Sequence, residues 1–279
     1  MSAKILVLGG NGKTGKRVTE RLKNLKINYR AVSRSTSPPF DWDDAGTWEH
    51  ALADMQTVYI TFQPDLAIPE ASERIASFVT HAKQAGIKKL VLLSGRGEEG
   101  AQKCETIIKQ SGLDWTIVRA SWFMQNFSES FFLDSILAGY LIIPKVKARE
   151  PFIDADDIAD VVVEALTKDG HNQQVLELTG PELIDFKKIT ELFSRYLPQK
   201  VAFEEISIEE YVDLLRSYGL PPDFIWLINH LFVEVLDGRN ESLTTDVEDI
   251  LGRKPVSFEA YIQKTLSGGI WDRSVNSTK

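Results

Sequence analysis

The chain alternates short apolar runs with amphipathic stretches over its first 180 residues. The runs are rich in Val, Ile and Leu, which is typical of strands buried on both faces of a parallel sheet. The predicted strands are Lys4–Leu8, Tyr29–Ser33, Pro38–Asp44, Thr57–Phe62, Lys89–Leu93, Trp115–Arg119 and Val175–Leu178. The predicted helices between them are Thr14–Leu25, Thr47–Leu52, Pro69–Ala85, Gln102–Gln110 and Ile158–Leu166. Because right-handed crossovers place such helices on both faces of a sheet, the pattern predicts an α/β fold with a doubly wound parallel sheet.

The pattern changes after Gly180, where helical spacing replaces the apolar runs. The helices predicted there from periodicity are Phe186–Tyr196, Asp223–Leu236 and Ser257–Leu266. Ser207 and Glu210 form a capping box that opens a further helix. We therefore expect an α/β domain over residues 1–180 and a smaller, mainly helical C-terminal lobe over residues 181–279.

Composition and charge narrow the class of protein. Apolar residues make up 43% of the 279 positions and charged residues 26%, which are ordinary values for a globular protein. The net charge of −8 argues against nucleic acids and anionic membranes as partners, since both attract a positive field. One cysteine and four scattered histidines form no zinc-spaced cluster, so we expect no metal. The N-terminal MSAKILVLGG lacks the apolar stretch and cleavage site of a signal peptide, and we expect a cytoplasmic protein.

A glycine-rich loop carries the strongest chemical signal. The loop is Gly9-Gly10-Asn11-Gly12-Lys13-Thr14-Gly15, and it lies between the first predicted strand and the first predicted helix. Glycines allow a tight turn and the close approach of a diphosphate, while the N-terminus of a helix attracts negative charge. The alternative is a glycine-rich turn that binds nothing. The strand–loop–helix context favours dinucleotide binding by a Rossmann-type domain.

The end of the second predicted strand indicates which dinucleotide is bound. Sites for NAD usually place an acidic residue there to bind the ribose 2′-hydroxyl. This chain has Ser33-Arg34-Ser35 instead. Arg34 can hold a 2′-phosphate by charge-assisted hydrogen bonds, with Ser33, Ser35 and Lys13 assisting, unless it is an ordinary solvated arginine. We therefore predict NADP(H) rather than NAD(H) as the cofactor.

Longer stretches of the sequence resemble an atypical group of short-chain dehydrogenases/reductases, the NmrA-like family. The matching stretches are GGNGKTG, AVSRS, KKLVLLSG, SGLDWTIVRASWFMQNF, PFIDADDIADVVVEAL and TGPE. Within the group, the chain is most similar to bacterial relatives of the agroclavine and festuclavine dehydrogenases. The resemblance implies an NADP(H)-binding Rossmann domain whose smaller lobe covers a small-molecule substrate.

The resemblance also assigns site residues. By that likeness, Thr61, Phe62, Gln63 and Pro64, together with Ser94, Gly95 and Arg96, border the ribose and nicotinamide of the cofactor. Ser121, Trp122, Phe123, Phe152 and Ile153 would line the substrate side. Both sets agree with the rule that ligands bind at the carboxyl ends of parallel strands. Asp41 could accept a hydrogen bond from the adenine amino group, or it is a plain turn aspartate.

The usual acid of short-chain reductases is missing. These enzymes use a Tyr and a Lys four residues later, and here those positions fall near Gly97 and Ala101. The pair Tyr196 and Lys200 has the spacing but is interrupted by Pro198, so we interpret it as coincidence. Ser94 persists as a candidate catalytic residue. The possible substitutes for the acid are Lys103, Glu98 and Glu99.

Two functions remain open at this point. The first is an NADPH-dependent oxidoreductase that transfers hydride to a small aromatic or heterocyclic substrate. An imine or iminium needs no acid for this reaction, while a quinone or activated alkene could take its proton from water. The second is a non-catalytic NADP(H)-binding regulator that senses redox state and acts through protein partners.

Further residues have two interpretations each. Cys104 is a reactive thiol or a small core residue. Trp122, Phe123 and Phe127 stack on a flat substrate or belong to the core. The acidic residues 154, 156 and 157 resemble a metal cluster, but we favour stabilisation of a helix N-terminus.

Overall fold

The structure is a computed structural model that describes residues 4–272. The strands are β1 Ile5–Leu8, β2 Tyr29–Val32, β3 Thr57–Ile60, β4 Lys89–Gly95, β5 Asp114–Ala120, β6 Tyr140–Pro144, β7 Gln174–Leu178 and β8 Ala202–Ile206. The helices are α1 Lys13–Asn24, α2 Trp48–Leu52, α3 Ala71–Gln84, α4 Glu99–Lys109, α5 Leu133–Ala138, α6 Ala155–Thr167, α7 Phe186–Tyr196, α8 Ile208–Ser217, α9 Pro222–His230, α10 Asp246–Leu251 and α11 Phe258–Leu266.

Six strands form one parallel sheet in the order β2-β1-β3-β4-β5-β7. Strands β1 and β3 are buried along their whole length, because helices cover both faces of the sheet. The reversal of strand order at β1 brings the loops after β1 and β3 to one edge of the sheet. The predicted doubly wound α/β fold is confirmed.

The chain divides into two compact units, each made of separate segments. The first unit comprises Met1–Ala120, Ala155–Leu178 and Asp246–Arg253, and the second comprises Ser121–Asp154, Thr179–Thr245 and Lys254–Lys279. The domain boundary at residue 180 stays a prediction, since the compact units group residues 121–154 with the later part of the chain.

The predicted third strand, Pro38–Asp44, is wrong. This segment is a loop whose single bridge joins Asp41 to Asp44. Its prolines cannot donate to a strand ladder, and its aromatic residues belong to a cluster instead. Phe40 and Trp42 pack edge to face at 5.1 Å, and both contact Phe78 of α3. The alternating apolar residues Phe40 and Trp42 therefore pack the loop against α3 and do not belong to a strand.

The second unit contains more than helices. Strands β6 and β8 pair in parallel, a feature that the prediction of a mainly helical lobe did not include. Strand β8 carries two glutamates and is largely exposed, so no apolar run marks it. The predicted capping box is present, with Ser207 and Glu210 bonding each other's backbone N–H at α8. The predicted helix Asp223–Leu236 forms as α9 followed by a π-helix, Leu231–Val235.

Over residues 4–272, every helix is too short or too polar to cross a membrane.

Candidate functional site

The glycine loop is folded tightly against the start of α1. Gly9 has a φ of +64°, a conformation that favours glycine, and its carbonyl accepts the Gly12 N–H at 2.8 Å. A Cβ atom on Gly15 would lie 2.2 Å from the same carbonyl oxygen. A Cβ atom on Gly10 would lie 2.8 Å from that of Ala31. The loop therefore has no room for side chains at these positions, as close approach of a diphosphate requires.

The N-terminus of α1 suits an anion. Gly12 is the N-cap, and it has no side chain that could cap the helix. The first turn also contains no acidic residue. The N–H groups of a first helical turn and the positive end of the helix dipole together suit a phosphate.

Polar side chains join the loop to the end of β2. Asn11 Nδ2 donates to Ser33 Oγ at 3.1 Å and reaches Ser35 Oγ at 3.5 Å. The two serine hydroxyls lie 3.1 Å apart. Arg34 lies between them in sequence, is exposed, and has neither a hydrogen bond nor an ion pair with any described residue. The structure thus brings the loop and the predicted phosphate-binding residues together.

The end of β3 supports the other side of the loop. Thr61 Oγ1 donates to Leu8 O at 3.0 Å and lies 2.4 Å from where a Gly9 Cβ would stand. Thr61 O accepts the indole N–H of Trp42 at 3.1 Å. Phe62 is buried against Trp42, whereas Gln63 and Pro64 are exposed. These four residues follow β3 directly and place polar backbone beside the glycine loop.

Asp41 forms a local turn. Its carboxylate accepts the Asp43 N–H at 3.1 Å, and its carbonyl accepts the Trp48 indole N–H at 2.7 Å. This geometry favours the turn aspartate over a contact with adenine.

A buried ion-pair network lies at the carboxyl ends of β4, β5 and β7. Glu105 of α4 is only 1% exposed, and both of its oxygens accept hydrogen bonds from Arg119, at 2.7 and 2.6 Å. Ser94 Oγ donates to the same carboxylate at 2.8 Å. Arg119 also donates to Glu177 at 2.8 Å, and Arg96 approaches Glu177 at 3.5 Å. The network fixes α4 to the sheet edge, and it was not predicted from the sequence.

The network sets the charge state of Glu105. Burial alone raises the pKa of this carboxyl, but the hydrogen bonds from Arg119 and Ser94 and the Arg119 charge hold the pKa below its ordinary value. The Ser94 hydroxyl uses its hydrogen in this contact, so Ser94 can accept from a ligand but does not donate to it.

The segment between β4 and α4 occupies the position where short-chain reductases usually have their tyrosine acid. Residues 94–105 contain no tyrosine; Gly97 has a φ of +78°, and Ala101 is buried in α4. Glu98 is buried with its carboxylate against the Gly95 backbone, where a Gly95 Cβ would meet it at 2.3 Å. The other two possible substitutes, Glu99 and Lys103, are exposed.

Tyr196 and Lys200, the pair with the usual spacing, lie in another part of the chain, and the Tyr196 hydroxyl is already hydrogen-bonded. The Tyr196 hydroxyl donates to Glu259 at 2.5 Å and accepts from Gln263 at 2.8 Å, and Lys200 follows the end of α7. Both residues belong to the second unit. The geometry agrees with a coincidence of spacing.

Cys104 belongs to the core of the first unit. Its side chain is fully buried, and burial, followed by the charge of Glu105, raises the pKa of the thiol to about 11. A thiol with this pKa is almost entirely protonated near neutral pH, so the core interpretation is favoured over the reactive one.

The five predicted substrate-side residues come together within the second unit. Phe123 and Ile153 form a parallel bridge, the Ile153 N–H donates to Trp122 O at 2.9 Å, and the Met124 N–H donates to Ile153 O at 2.9 Å. Trp122 and Phe152 pack edge to face with centroids 6.3 Å apart. Ser121, Trp122, Phe152 and Ile153 are buried, and Phe123 is half-buried.

The second unit also has a cavity of about 410 Å³. Its lining includes the apolar residues Phe232, Val233 and Leu236 and the basic residues Lys145 and Lys147. Phe232 contacts Trp122 at 5.5 Å, so one aromatic cluster adjoins the cavity. The volume is within the range of small-molecule sites.

Two of the three acidic residues at the start of α6 are paired with arginines. Asp156 pairs with Arg17 and Arg21, and Asp157 accepts from Arg253 at 2.6 Å. Within residues 4–272, no group of three or more acidic, His or Cys side chains is arranged to hold a metal ion. Asp156 and Asp157 are therefore ion-paired, whereas Asp154 accepts a hydrogen bond from the Gln125 side-chain amide at 2.7 Å.

Comparison with known proteins gives the family. The model of the NAD(P)H-binding family matches residues 9–169. The chain is 30% identical to Prestalk A differentiation protein A of Dictyostelium discoideum, over 94% of this chain and 92% of that protein. It is 29% identical to agroclavine dehydrogenase of Claviceps fusiformis, over 92% and 96%.

A solved structure extends the comparison to the fold. The NADPH complex of the quinone oxidoreductase QOR2 from Escherichia coli superposes with a TM-score of 0.80 over 94% of this chain and 99% of that one. At 17% identity this likeness shows the fold alone.

The fold and the glycine loop define an NAD(P)-binding Rossmann protein of the oxidoreductase class. The chain belongs to the NAD(P)H-binding family.

Proposed function

We propose that the protein is an NADPH-dependent reductase of a small aromatic or heterocyclic substrate. The proposal is carried by one observation: Asn11 joins the glycine loop at the N-terminus of α1 to Ser33, and the neighbouring Arg34 is exposed and has no hydrogen bond or ion pair with any described residue. The first feature suits a diphosphate, and the second suits an additional phosphate on the adenosine.

The residues of the first unit fit this cofactor. The glycine loop, residues 9–15, would hold the diphosphate, with Arg34, Ser33 and Ser35 on the 2′-phosphate. Residues 61–64 and 94–96 would border the ribose and nicotinamide. A planar guanidinium matches a phosphate by paired hydrogen bonds, and Asn11 donates hydrogen bonds to the serine hydroxyls.

NADPH supplies hydride transfer when it is bound. The chain's own part is to orient the reactants and to exclude water. Ser121, Trp122, Phe123, Phe152 and Ile153 would bind the substrate, and Ser94, which donates to Glu105, would help to position the cofactor. No step needs a tyrosine acid, because an iminium becomes a neutral amine on hydride addition and a quinone or activated alkene takes its proton from water.

The name of a relative favours a second candidate function. The Dictyostelium protein is named for differentiation rather than for a reaction. Together with the altered acid position, this supports a non-catalytic NADP(H)-binding regulator that acts through protein partners. Turnover distinguishes the two functions: purified protein that binds NADPH but oxidises none of it against quinones, imines and enones would favour the regulator.

Substitution of Arg34 tests the cofactor assignment. Arg34→Gln should raise the Kd for NADPH roughly 10- to 100-fold and leave the Kd for NADH nearly unchanged, since only NADPH carries the 2′-phosphate. Titration calorimetry measures both. Arg74→Gln is the matched control, because Arg74 is an arginine of the same unit that pairs with Asp43 at 2.7 Å. Equal loss of affinity for both nucleotides, or wild-type preference for NADH, contradicts the assignment.

A further inference from the structure

We propose that Trp122 and Ser121 bind a carbonyl oxygen of the substrate and thereby select a quinone over an iminium ion. This inference rests on the proposed function and narrows its substrate class. It is carried by two polar atoms of the second unit, Trp122 Nε1 and Ser121 Oγ, which are buried and have no hydrogen-bond partner in the described part of the chain. Trp122 is 7% exposed and Ser121 is 3% exposed.

The other buried tryptophans show how unusual this is within the molecule. Trp42 donates to Thr61 O at 3.1 Å, Trp48 to Asp41 O at 2.7 Å, and Trp271 to the carbonyl of Phe127 at 2.8 Å. Buried indole N–H groups normally find such an acceptor, because burial without one is costly. Each of these three rings has a protein acceptor that Trp122 lacks.

The Trp122 main chain is held in place on both sides. Its N–H donates to a Glu150 oxygen at 3.3 Å, and its carbonyl accepts the Ile153 N–H at 2.9 Å. The ring packs edge to face against Phe186 at 6.2 Å and Phe232 at 5.5 Å. A ring fixed in this way is preorganised, so the unpaired N–H does not reflect a loose side chain.

The chemistry of the two groups selects the ligand. An indole N–H only donates, and a serine hydroxyl can donate as well. A carbonyl oxygen has two lone pairs and accepts from such groups, whereas an iminium nitrogen has no lone pair to offer. A quinone that takes up one hydride from NADPH and one proton from water becomes a hydroquinone, leaving NADP⁺. Its oxygen gains negative charge as hydride arrives, which strengthens hydrogen bonds from these donors.

The alternative is a contact of the indole N–H with an aromatic face. Phe152, Phe186 and Phe232 surround the ring, and weak N–H···π contacts occur in such clusters. In that case the N–H would stabilise the fold and would not distinguish substrates. The two interpretations therefore differ in stability and in substrate selectivity.

The experiment uses Trp122→Phe and Ser121→Ala in the full chain. Both variants remove the donor; Ser121→Ala keeps a comparable shape, and Trp122→Phe keeps an aromatic ring of smaller volume. With NADPH, kcat/KM for 1,4-naphthoquinone should fall roughly tenfold in each variant, as expected for one lost hydrogen bond. The kcat/KM for the 2-methyl-3,4-dihydroisoquinolinium ion should fall less, so that the ratio of the quinone value to the iminium value falls in each variant. The thermal midpoint should not fall in Ser121→Ala, because no protein hydrogen bond is removed, and it should fall less in Trp122→Phe than in Trp271→Phe, which loses a hydrogen bond as well as buried ring volume.

Trp271→Phe is the matched control. Trp271 is a buried tryptophan of the same unit whose N–H has a backbone acceptor. Its replacement should lower the thermal midpoint and leave the ratio of the two kcat/KM values unchanged. A loss of stability in Trp122→Phe that equals the loss in Trp271→Phe overturns the proposal, and so does an equal kinetic loss for both substrates.

Infrared spectroscopy separates this inference from the proposed function. The carbonyl stretch of 1,4-naphthoquinone bound to the NADP⁺ complex should lie at lower wavenumber in the wild type than in Trp122→Phe. Binding with this shift, but without turnover of either substrate, contradicts the reductase and supports the carbonyl site. Reduction of the iminium by a protein that neither binds nor reduces the quinone supports the reductase and overturns the carbonyl site.

Discussion

Two buried regions of the molecule treat their polar groups in opposite ways. In the first unit, the Glu105 carboxylate at the sheet edge is fully engaged by Arg119 and Ser94. In the second unit, Trp122 and Ser121 carry buried polar atoms that no described residue satisfies. In the first region, the chain itself makes the hydrogen bonds, which is typical of a structural network. In the second region, hydrogen bonds remain for a ligand to make, which is typical of a binding site.

The comparison is informative because both regions follow the same strand. Arg119 lies within β5, and residues 121 and 122 come directly after it. Arg119, on the strand, is paired with neighbours from α4 and β7, whereas the side-chain polar atoms of Ser121 and Trp122 have no hydrogen-bond partner among the described residues. Preorganised sites need binding groups that are held by well-ordered neighbouring residues. The paired Arg119 on β5, followed in the chain by the unpaired polar atoms of residues 121 and 122, fits this requirement.

The largest expected effect comes from the glycine loop. Gly15→Ala places a Cβ atom 2.2 Å from a backbone oxygen, so the loop must shift. We expect the Kd for NADPH to rise about 100-fold or more, which is roughly 2.7 kcal/mol, while circular dichroism stays that of a folded protein. Gly268→Ala is the control, since its nearest atom would be 3.4 Å away. Wild-type affinity in Gly15→Ala would show that this loop does not hold the diphosphate.

The ion-pair network of the first unit gives the next effect. Glu105→Gln removes one partner of a buried pair and leaves the Arg119 charge only partly compensated, so the free energy of unfolding should fall by about 3 kcal/mol. Urea denaturation measures it. Glu191→Gln is the control, because Glu191 forms an exposed pair with Lys188 and should change stability by less than about 0.5 kcal/mol. Similar losses in both variants would mean that the network is no stronger than a surface ion pair.

The same network predicts a pH dependence. Because the folded-state pKa of Glu105 lies below its unfolded value of about 4.3, its stabilisation is fully present above that value and disappears as pH falls through the folded pKa. The difference in unfolding free energy between wild type and Glu105→Gln should be constant from about pH 6 to 8 and shrink below about pH 4. A difference that persists unchanged at pH 3 would exclude the carboxylate as its source.

Much of the fold could be predicted because its signals are local. Apolar runs mark the central strands, and the glycine loop is recognisable from its spacing between a strand and a helix. The segment at Pro38–Asp44 misled the prediction, since Phe40 and Trp42 alternate like strand residues but pack against α3. Strand β8 gave no apolar signal, because its pairing with β6 depends on residues about sixty positions away.

The site could be predicted only in part for the same reason. Arg34 is identified by its position after a strand, which is a local feature. Glu105 and Arg119 are 14 residues apart, and Arg119 and Glu177 are 58 apart, so no sequence spacing links the network. The unpartnered N–H of Trp122 is likewise invisible in sequence, where a tryptophan in an aromatic stretch predicts core and substrate contact equally.

The smallest expected effect is a change in stability, and it compares two buried hydroxyl groups within the second unit. The hydroxyl of Tyr261 donates to Ser128 Oγ at 2.7 Å, and both side chains are buried. Tyr261→Phe should therefore cost about 1 kcal/mol in thermal unfolding. Ser121→Ala removes an equally buried hydroxyl that makes no such bond, and it should cost nothing measurable. If Ser121→Ala destabilises the protein as much as Tyr261→Phe does, Ser121 has a partner within the chain, and the contrast between supporting and ligand-binding polar groups no longer applies to it.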